Sequence, residues 1–324
     1  MVGSYHVRIA QRRRLSFDFT IRRNITLVGG DSGTGKTTLF NLVAAHMREG
    51  DHSGVTIQCD CACVALTDLD WQHQLAGISN SIVFIDEGMR FVESEDFARA
   101  VLKSSNYYVL FTRTDLPNLP FSINEIYEIK TSGKRHSFVP MYPQRDGFRY
   151  SLSSAAPKRD FDVLLTEDSK SGLEFFEARF ADGRVACASG GNNAGLVAWL
   201  NDHADQHVFA IADGAAFGAY AQRVLRLQEN HRDTMAICLP ESFEWLLLAS
   251  GLLHSDVVDK ALEDPSAQVD SVAFSSWEQF FTQLLKQEAA GTPFAYRKNA
   301  LPDAFKVPKN ADKVMALIAC RNIC

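Results

Sequence analysis

The chain of 324 residues lacks any long hydrophobic run. No apolar stretch approaches the roughly 18 residues that a bilayer-crossing helix needs. The segment Met1–Arg8 also lacks the apolar core of a secretory signal peptide. We therefore expect a cytoplasmic protein that does not bind membranes and whose seven cysteines are reduced thiols.

A strong excess of basic residues is absent as well, since the formal net charge is -6. Residues 1–150 hold 17 Lys and Arg against 16 Asp and Glu, whereas the rest of the chain holds 16 against 23. The acidic second half argues against a broad nucleic-acid-binding face, although it leaves room for a local basic groove. The hydrophobic content of 46% is ample for two domains with real cores.

Paired cysteines with the spacing of a zinc site are missing too. Cys59, Cys61 and Cys63 alternate along a predicted strand, which places all three on one face, but no two of them have the two-residue gap of a zinc knuckle. A core-facing strand with small apolar side chains explains the pattern better than a metal site does.

One short segment of the chain is rich in glycine. Gly30–Thr37 reads GDSGTGKT; it follows the apolar, β-branched segment Asn24–Val28 and precedes Thr38–His46, whose apolar residues have helical spacing. A loop between strand and helix aims backbone N–H groups and the positive helix end at a polyphosphate. The pattern predicts an ATP site with Mg²⁺, in which Lys36 reaches the β- and γ-phosphates and Thr37 binds the metal. The expected nucleotide-binding residues are Gly30, Asp31, Ser32, Gly33, Thr34, Gly35, Lys36, Thr37 and Thr38.

Acidic residues follow a second predicted strand. Ser81–Ile85 is apolar and ends in Asp86 and Glu87. The carboxyl ends of parallel strands are where open α/β sheets bind ligands. We expect Asp86 to hold Mg²⁺ and Glu87 to deprotonate the attacking water. A third strand, 107–111, leads to Arg113, which either stabilises transition-state charge or is a surface or structural arginine.

These motifs resemble those of P-loop ATPases. The predicted hairpin before the phosphate loop resembles ABC-type and recombination-type ATPases, but the Ser-Gly-Gly signature of an ABC engine is missing between the two motifs, since Ser189–Gly191 comes about a hundred residues after Asp86. The first domain is therefore similar to a trimmed ABC-like or AAA-like ATPase. Such engines complete their sites across subunits, which implies a homodimer or a larger assembly. The proline-containing loop Asp115–Pro120 is expected to end the sheet.

The second half resembles the Toprim fold of primases, topoisomerases and overcoming-lysogenisation-defect nucleases, and the Toprim-like partner of bacterial ATPase–Toprim anti-phage systems. The order of its motifs carries the likeness: Glu167 after a strand, Gly190–Asn192, then Asp213 after a later strand. The resemblance implies that Glu167 and Asp213 bind Mg²⁺ near a scissile phosphate. The second expected aspartate falls on Ala215, and Asp168 replaces the usual glycine. Glu241 or Glu244 is a candidate for the missing carboxylate.

The predicted fold class is α/β, with a P-loop NTPase parallel sheet followed by a second α/β, Toprim-like domain. The expected divisions are an ATPase domain at 1–150, a linker at 151–158, a Toprim-like domain at 159–253 and a helical C-terminal extension at 254–324 that packs on the second domain. In that extension, Tyr296–Lys298 either contacts phosphate or is a solvated basic turn, and we favour the solvated turn.

Three functions remain open at this point. In the first, the ATPase controls a metal-dependent nuclease that cuts DNA or RNA, in phage defence or a mobile element. In the second, the Toprim-like module is non-catalytic and acts as a regulator or sensor. The third is a small-molecule kinase, which the Asp86–Glu87 pair disfavours because it points to water as the nucleophile.

Overall fold

A computed structural model describes residues 1–12, 14–67, 69–142 and 161–318. The expected linker at 151–158 lies outside the described residues. The chain is mixed α/β and divides into two compact units. The first unit is Met1–Tyr142 together with Asp264–Ser275, and the described residues of the second are 161–263 and 276–318. Residues 264–275, which fall within the expected C-terminal extension, thus belong to the first unit.

The first unit is built on a large mixed sheet. Its described strands are β1 (Tyr5–Gln11), β2 (Leu15–Ile21), β3 (Ile25–Val28), β4 (Val55–Gln58), β5 (Ala62–Leu66), β6 (Ser81–Ile85), β7 (Tyr107–Phe111), β8 (Ile126–Ser132) and β9 (Arg135–Pro140). They lie in the order β4-β1-β2-β9-β8-β3-β7-β6-β5. The helices of this unit are α1 (Lys36–Glu49), α2 (Trp71–Ala76) and α3 (Glu95–Leu102).

The strands β3, β6 and β7 are buried along their whole length and run parallel, as their continuous apolar sequences predict. Helix α1 packs on them through Leu39 and Val43, which join Phe84 and Phe111 in one core. Burying side chains of this size contributes about 2 kcal/mol each, so the glycine-rich loop between β3 and α1 begins and ends on well-fixed elements.

The prediction that the sheet ends at Asp115–Pro120 is wrong. The chain returns and adds β8, which pairs in parallel with β3, and β9, which pairs in parallel with β2. The two strands form a tight antiparallel hairpin around Gly133, whose φ is +61°. β8 is buried at its start and exposed at its end, so its sequence carries a weaker strand signal than the apolar runs before it.

The second unit has a sheet of its own. Its described strands are β10 (Val163–Thr166), β11 (Ala186–Ser189), β12 (Val208–Ile211) and β13 (Met235–Cys238), all parallel, in the order β11-β10-β12-β13. Its helices are α4 (Ser171–Arg179), α5 (Asn193–Asp202), α6 (Ala221–Asn230), α7 (Phe243–Ala249), α8 (Asp256–Glu263), α9 (Trp277–Glu288), α10 (Asp303–Lys306) and α11 (Pro308–Met315). The strand order reverses at β10, which creates a crevice at the carboxyl ends of β10 and β12.

The Gly190–Asn192 segment of the second unit serves the packing of α5. A Cβ on Gly190 would lie 2.4 Å from the backbone nitrogen of Leu196, so only glycine fits there. Asn192 caps the helix, since its Oδ1 accepts a hydrogen bond from the Gly195 N–H at 2.8 Å.

Among the described residues of the whole chain, no helix has both the length and the apolar character needed to cross a bilayer.

Candidate functional site

The glycine-rich loop that includes Gly30–Gly35 connects the end of β3 to the start of α1 and has the backbone conformation that its glycines allow. Gly30, Gly33 and Gly35 have φ values of +94°, +81° and +108°, a region that residues with side chains rarely adopt. A Cβ on Gly35 would also lie 3.5 Å from the ring of Phe17. The loop residues Asp31 and Ser32 are exposed, which leaves this side of the loop open to a ligand.

Lys36 is almost entirely buried inside this loop, with 4% of the residue exposed. Its Nζ donates hydrogen bonds to the carbonyl oxygens of Gly30, at 2.5 Å, and Asp31, at 3.0 Å. The same nitrogen lies 3.7 Å from Glu87 Oε2. The ammonium group is therefore held at the centre of the loop, close to Glu87, which follows the carboxyl end of β6.

The sheet order brings the loop and the acidic residues together. β7 lies between β3 and β6, so three parallel carboxyl ends stand side by side. The Thr37 hydroxyl donates a hydrogen bond to Asp86 Oδ1 at 3.3 Å. An oxygen pair of this kind suits Mg²⁺, which binds through few protein ligands and keeps several waters. The two residues expected to hold the metal are thus in contact, and their chemistry fits it.

Arg113 contacts both the loop and the acidic strand end. Its Nε lies 2.7 Å from Glu87 Oε1, and its Nη2 donates a hydrogen bond to Ser32 Oγ at 2.7 Å. Half of its side chain is exposed, compared with a third of that of Glu87. Glu87 is consequently paired with two cations, Lys36 and Arg113. Contacts of this kind join six residues, from the loop and from the segments that follow β6 and β7, into one cluster. We call Ser32, Lys36, Thr37, Asp86, Glu87 and Arg113 the loop cluster.

A second group of acidic residues lies in the crevice of the second unit. Glu167 follows β10 and Asp213 follows β12, and the Asp213 N–H donates a hydrogen bond to Glu167 Oε2 at 3.1 Å. Asp213 Oδ1 accepts from the N–H of Phe243, the first residue of α7, at 3.0 Å. The two predicted residues are therefore brought together, and each is oriented by a backbone N–H group.

Further side chains join this crevice from elements that the sequence analysis did not connect to it. A cavity of about 80 Å³ there is lined by Glu167, Asp168, Asp213, Glu244, Glu278 and Lys298, with apolar neighbours. Of the two candidates for an additional carboxylate, Glu244 lines the cavity and Glu241 does not. Tyr296 donates from its hydroxyl to Glu244 Oε1 at 2.8 Å, and Lys298 Nζ donates to Glu278 Oε1 at 2.8 Å.

The interpretation of Tyr296–Lys298 as a solvated basic turn is wrong for two of its residues. Tyr296 is buried and Lys298 reaches into the acidic cavity. The sequence carries no signal that either residue meets an acid, because a short basic turn outside any periodic segment looks the same whether or not it folds against one. Glu278 was equally hidden, since an acid in the first turn of α9 is ordinary helix chemistry.

Three acids of this cavity, Glu167, Asp213 and Glu244, have raised pKa values. Burial raises the pKa of Glu167 to about 7 against the hydrogen bond from Asp213, with Glu278 and Asp168 adding repulsion. Burial likewise raises the pKa of Asp213 and that of Glu244. Although burial opposes its charge, the contact with Glu278 raises the pKa of Lys298. Protons and one lysine therefore neutralise much of the cavity.

These residues do not fit the Mg²⁺ centre that the Toprim resemblance implies. In residues 1–12, 14–67, 69–142 and 161–318, no three His, Cys, Asp or Glu side chains are arranged to hold a metal ion. The position of the second aspartate is Ala215, which is buried and whose N–H donates to the Glu241 carbonyl. The ammonium group of Lys298 lies among the carboxylates that a divalent cation would need.

The three clustered cysteines lie at the start of β5. Only Cys63 is within the strand, which begins at Ala62, but the Sγ atoms of Cys59 and Cys61 still lie 3.6 Å apart. All three are half-buried. Hydrogen bonds from the Cys61 and Cys63 thiols hold the pKa of Cys59 well below its usual range, whereas the pKa values of its two neighbours are raised.

Comparison with known proteins adds no assignment to this geometry. No protein-family model matches the chain, and no curated protein matches it. What the protein does has to be argued from the loop cluster and from the acidic cavity, since each has residues whose chemistry is specific.

Proposed function

We propose that this protein binds ATP with Mg²⁺ through Gly30–Thr38 and hydrolyses it, and that its first unit is a trimmed ABC-like or AAA-like ATPase. The contact between Thr37 and Asp86 carries this proposal, because it joins the phosphate-binding loop to an acidic strand end. A chance glycine turn would have no reason to meet that second motif. The polar neighbours of the contact, Glu87 and Arg113, support hydrolysis rather than binding alone.

Each residue of the loop cluster has a role that its contacts support. Lys36 binds oxygens of the β- and γ-phosphates. Thr37 and Asp86 would hold Mg²⁺, which would supply positive charge beside the transferred phosphoryl group. Glu87 takes a proton from the water that attacks the γ-phosphorus, while the bond to the bridging oxygen breaks and leaves ADP and phosphate. Arg113 stabilises the charge that develops on the γ-phosphate oxygens.

Nucleotide binding has to rearrange the contacts of two residues. Lys36 now donates to two carbonyl oxygens of its own loop, and a polyphosphate has to replace them. Glu87 is paired with Lys36 and Arg113, so its carboxylate is free to accept a proton only after both cations turn to phosphate oxygens. For Lys36 the exchange replaces two neutral carbonyl acceptors with an anion, which strengthens the hydrogen bonds of its ammonium group.

For the second unit we propose a Toprim-like scaffold without metal catalysis that acts as a regulator or sensor of the ATPase. Lys298 in the cavity and Ala215 at the position of an expected ligand support this role over that of a nuclease. The alternative is a nuclease with DNA or RNA as its substrate. It is supported by the convergence of Glu167 and Asp213 on one crevice. Both hypotheses involve the same residues, so a measurement of nuclease activity decides between them.

ATP binding and hydrolysis by the full chain, compared with two variants, test the proposed engine. Lys36→Ala should abolish binding of the triphosphate, whereas Glu87→Gln should retain ATP and stop its hydrolysis. Glu95→Gln, an exposed acid on α3 outside the loop cluster, is the matched control and should behave as wild type. Unchanged turnover in Glu87→Gln would remove that residue from catalysis.

A cleavage assay tests the proposed role of the second unit. Wild-type protein is incubated with DNA or RNA and Mg²⁺, with and without ATP, beside Glu167→Ala. We expect ATP hydrolysis without cleavage of either nucleic acid. Cleavage by the wild type that Glu167→Ala abolishes would overturn the regulatory role and restore the nuclease hypothesis.

Light scattering of Glu87→Gln with ATP would measure whether a homodimer or larger assembly forms.

A further inference from the structure

The acidic cavity of the second unit gathers several acidic side chains in a small, partly enclosed space. Five carboxylate side chains line it, namely those of Glu167, Asp168, Asp213, Glu244 and Glu278. Burying unpaired carboxylates is costly, so such a cavity needs cations or protons. Lys298 is the one lysine or arginine among the cavity-lining residues that the structure describes.

The position of Lys298 is fixed at three points close to the cavity. Its Nζ donates to Glu278 Oε1 at 2.8 Å, and its own carbonyl oxygen accepts from the Ser171 hydroxyl at 2.6 Å. Two residues earlier, the buried Tyr296 hydroxyl donates to Glu244 Oε1. Ser171 is the first residue of α4, beside Glu167 and Asp168, and is itself buried. The lysine therefore belongs to the crevice through its contacts, with 38% of its side chain still exposed.

From these contacts we infer that the Lys298 ammonium is the permanent cation of the acidic cavity and takes the place that a divalent cation would otherwise fill. It brings a positive charge to the cavity and donates a hydrogen bond to Glu278 Oε1, and the described lining residues include no other lysine or arginine. A divalent ion entering beside it would meet direct charge repulsion at short range. The inference deepens the proposed regulatory role of the second unit and is independent of the ATP site.

Among the described residues no three carboxylates are arranged around a metal ion while Lys298 is present; removal of the lysine charge is expected to let the cavity carboxylates draw together around a divalent cation. Lys298→Met keeps an unbranched stem of similar length but leaves the carboxylates without their counter-charge. Oxygen ligands of this kind suit Mn²⁺ and Mg²⁺. Because Mn²⁺ is paramagnetic, its free concentration is measured directly by electron paramagnetic resonance in a titration of the nucleotide-free full chain.

The expected result is a gain of stoichiometric Mn²⁺ binding in Lys298→Met that is lost again when Glu167→Gln is added. Lys298→Arg keeps the charge and should stay metal-free, as should Lys286→Met, which removes an exposed lysine from α9. Each protein in the titration also carries Asp86→Asn, so that no Mn²⁺ bound by the first unit contributes to the result.

Two results would overturn the inference. One is Mn²⁺ binding by wild-type protein that Glu167→Gln abolishes, and this measurement needs no lysine variant to fold. The other is a folded Lys298→Met, judged by circular dichroism, that binds no Mn²⁺. Neither outcome bears on ATP binding, which Lys36→Ala tests separately, so a failure here is distinct from a failure of the proposed ATPase.

Discussion

The hydroxyl of Thr37 and the carboxylate of Asp86 lie 3.3 Å apart, although 49 residues separate them in the chain. The contact exists because β7 inserts between β3 and β6, and all three strands end at the same edge. Two local motifs therefore become one arrangement of oxygen ligands. Their pairing makes the metal-dependent part of the proposed reaction testable by single substitutions.

Asp86→Asn should retain the fold and lose most of the ATPase activity. The amide keeps the volume and one acceptor oxygen for Thr37 but loses the charge that holds Mg²⁺. Because metal charge stabilisation is worth several kcal/mol, we expect turnover to fall by about 100-fold or more. Steady-state hydrolysis at varied Mg²⁺ measures this. A variant that recovers wild-type turnover at high Mg²⁺ would show weakened metal binding alone, whereas full activity at low Mg²⁺ would contradict the assignment.

Arg113→Ala should separate the catalytic from the structural interpretation of this residue. Its side chain is half exposed, so we expect little change in thermal stability, whereas turnover should fall by about 1000-fold if the guanidinium stabilises transition-state charge. Arg113→Lys should rescue poorly, since one ammonium cannot reproduce two directed donors. Arg99→Ala is the control, because that arginine is also exposed and pairs with Asp96 on its own helix. A stability loss with unchanged turnover would leave Arg113 a structural residue.

Sequence reasoning succeeded where each signal was local. The loop, α1 and the acids after β6 each follow from a few consecutive residues, and Glu167 and Asp213 each follow a buried strand. It failed where a residue's role depends on distant partners. Lys298 and Glu278 are paired across 20 residues, and neither carries a pattern of its own. The return of β8 beside β3 was missed for the same reason, because pairing partners in a parallel sheet are not written next to each other.

The stability of the second unit should fall as pH rises from about 4.5 to 7. Glu167 has its pKa raised to about 7 in the folded state, from a value of 4.5, so the folded state binds more protons than the unfolded state between these values. A shift of this size is worth up to about 3 kcal/mol, fully lost above pH 7. Asp213 and Glu244 act in the same direction, since their pKa values are raised as well, while Lys298 stays charged throughout.

Urea unfolding at pH 5 and at pH 8 measures this dependence. Trp199, Trp245 and Trp277 belong to the second unit, so in a Trp71→Phe background tryptophan fluorescence reports on that unit alone. Glu167→Gln should flatten the dependence, because the amide does not titrate. The same slope in both proteins would mean that Glu167 is not the group responsible.

Cys59 should react with iodoacetamide at a rate that hardly changes between pH 5 and pH 8. Hydrogen bonds from Cys61 and Cys63 lower the pKa of its thiol, so it is already a thiolate throughout this range, whereas a free thiol with a pKa of about 8.5 would react about tenfold faster for each pH unit gained. Peptide mapping by mass spectrometry after short exposures measures the rate at each cysteine. Cys61→Ala removes one of the two donors and should bring back the pH dependence at Cys59, and Cys187, whose pKa is raised to about 11 by burial, serves as the internal slow-reacting reference. An ordinary pH dependence at Cys59 in the wild type would show that the three thiols lie too far apart to stabilise a thiolate.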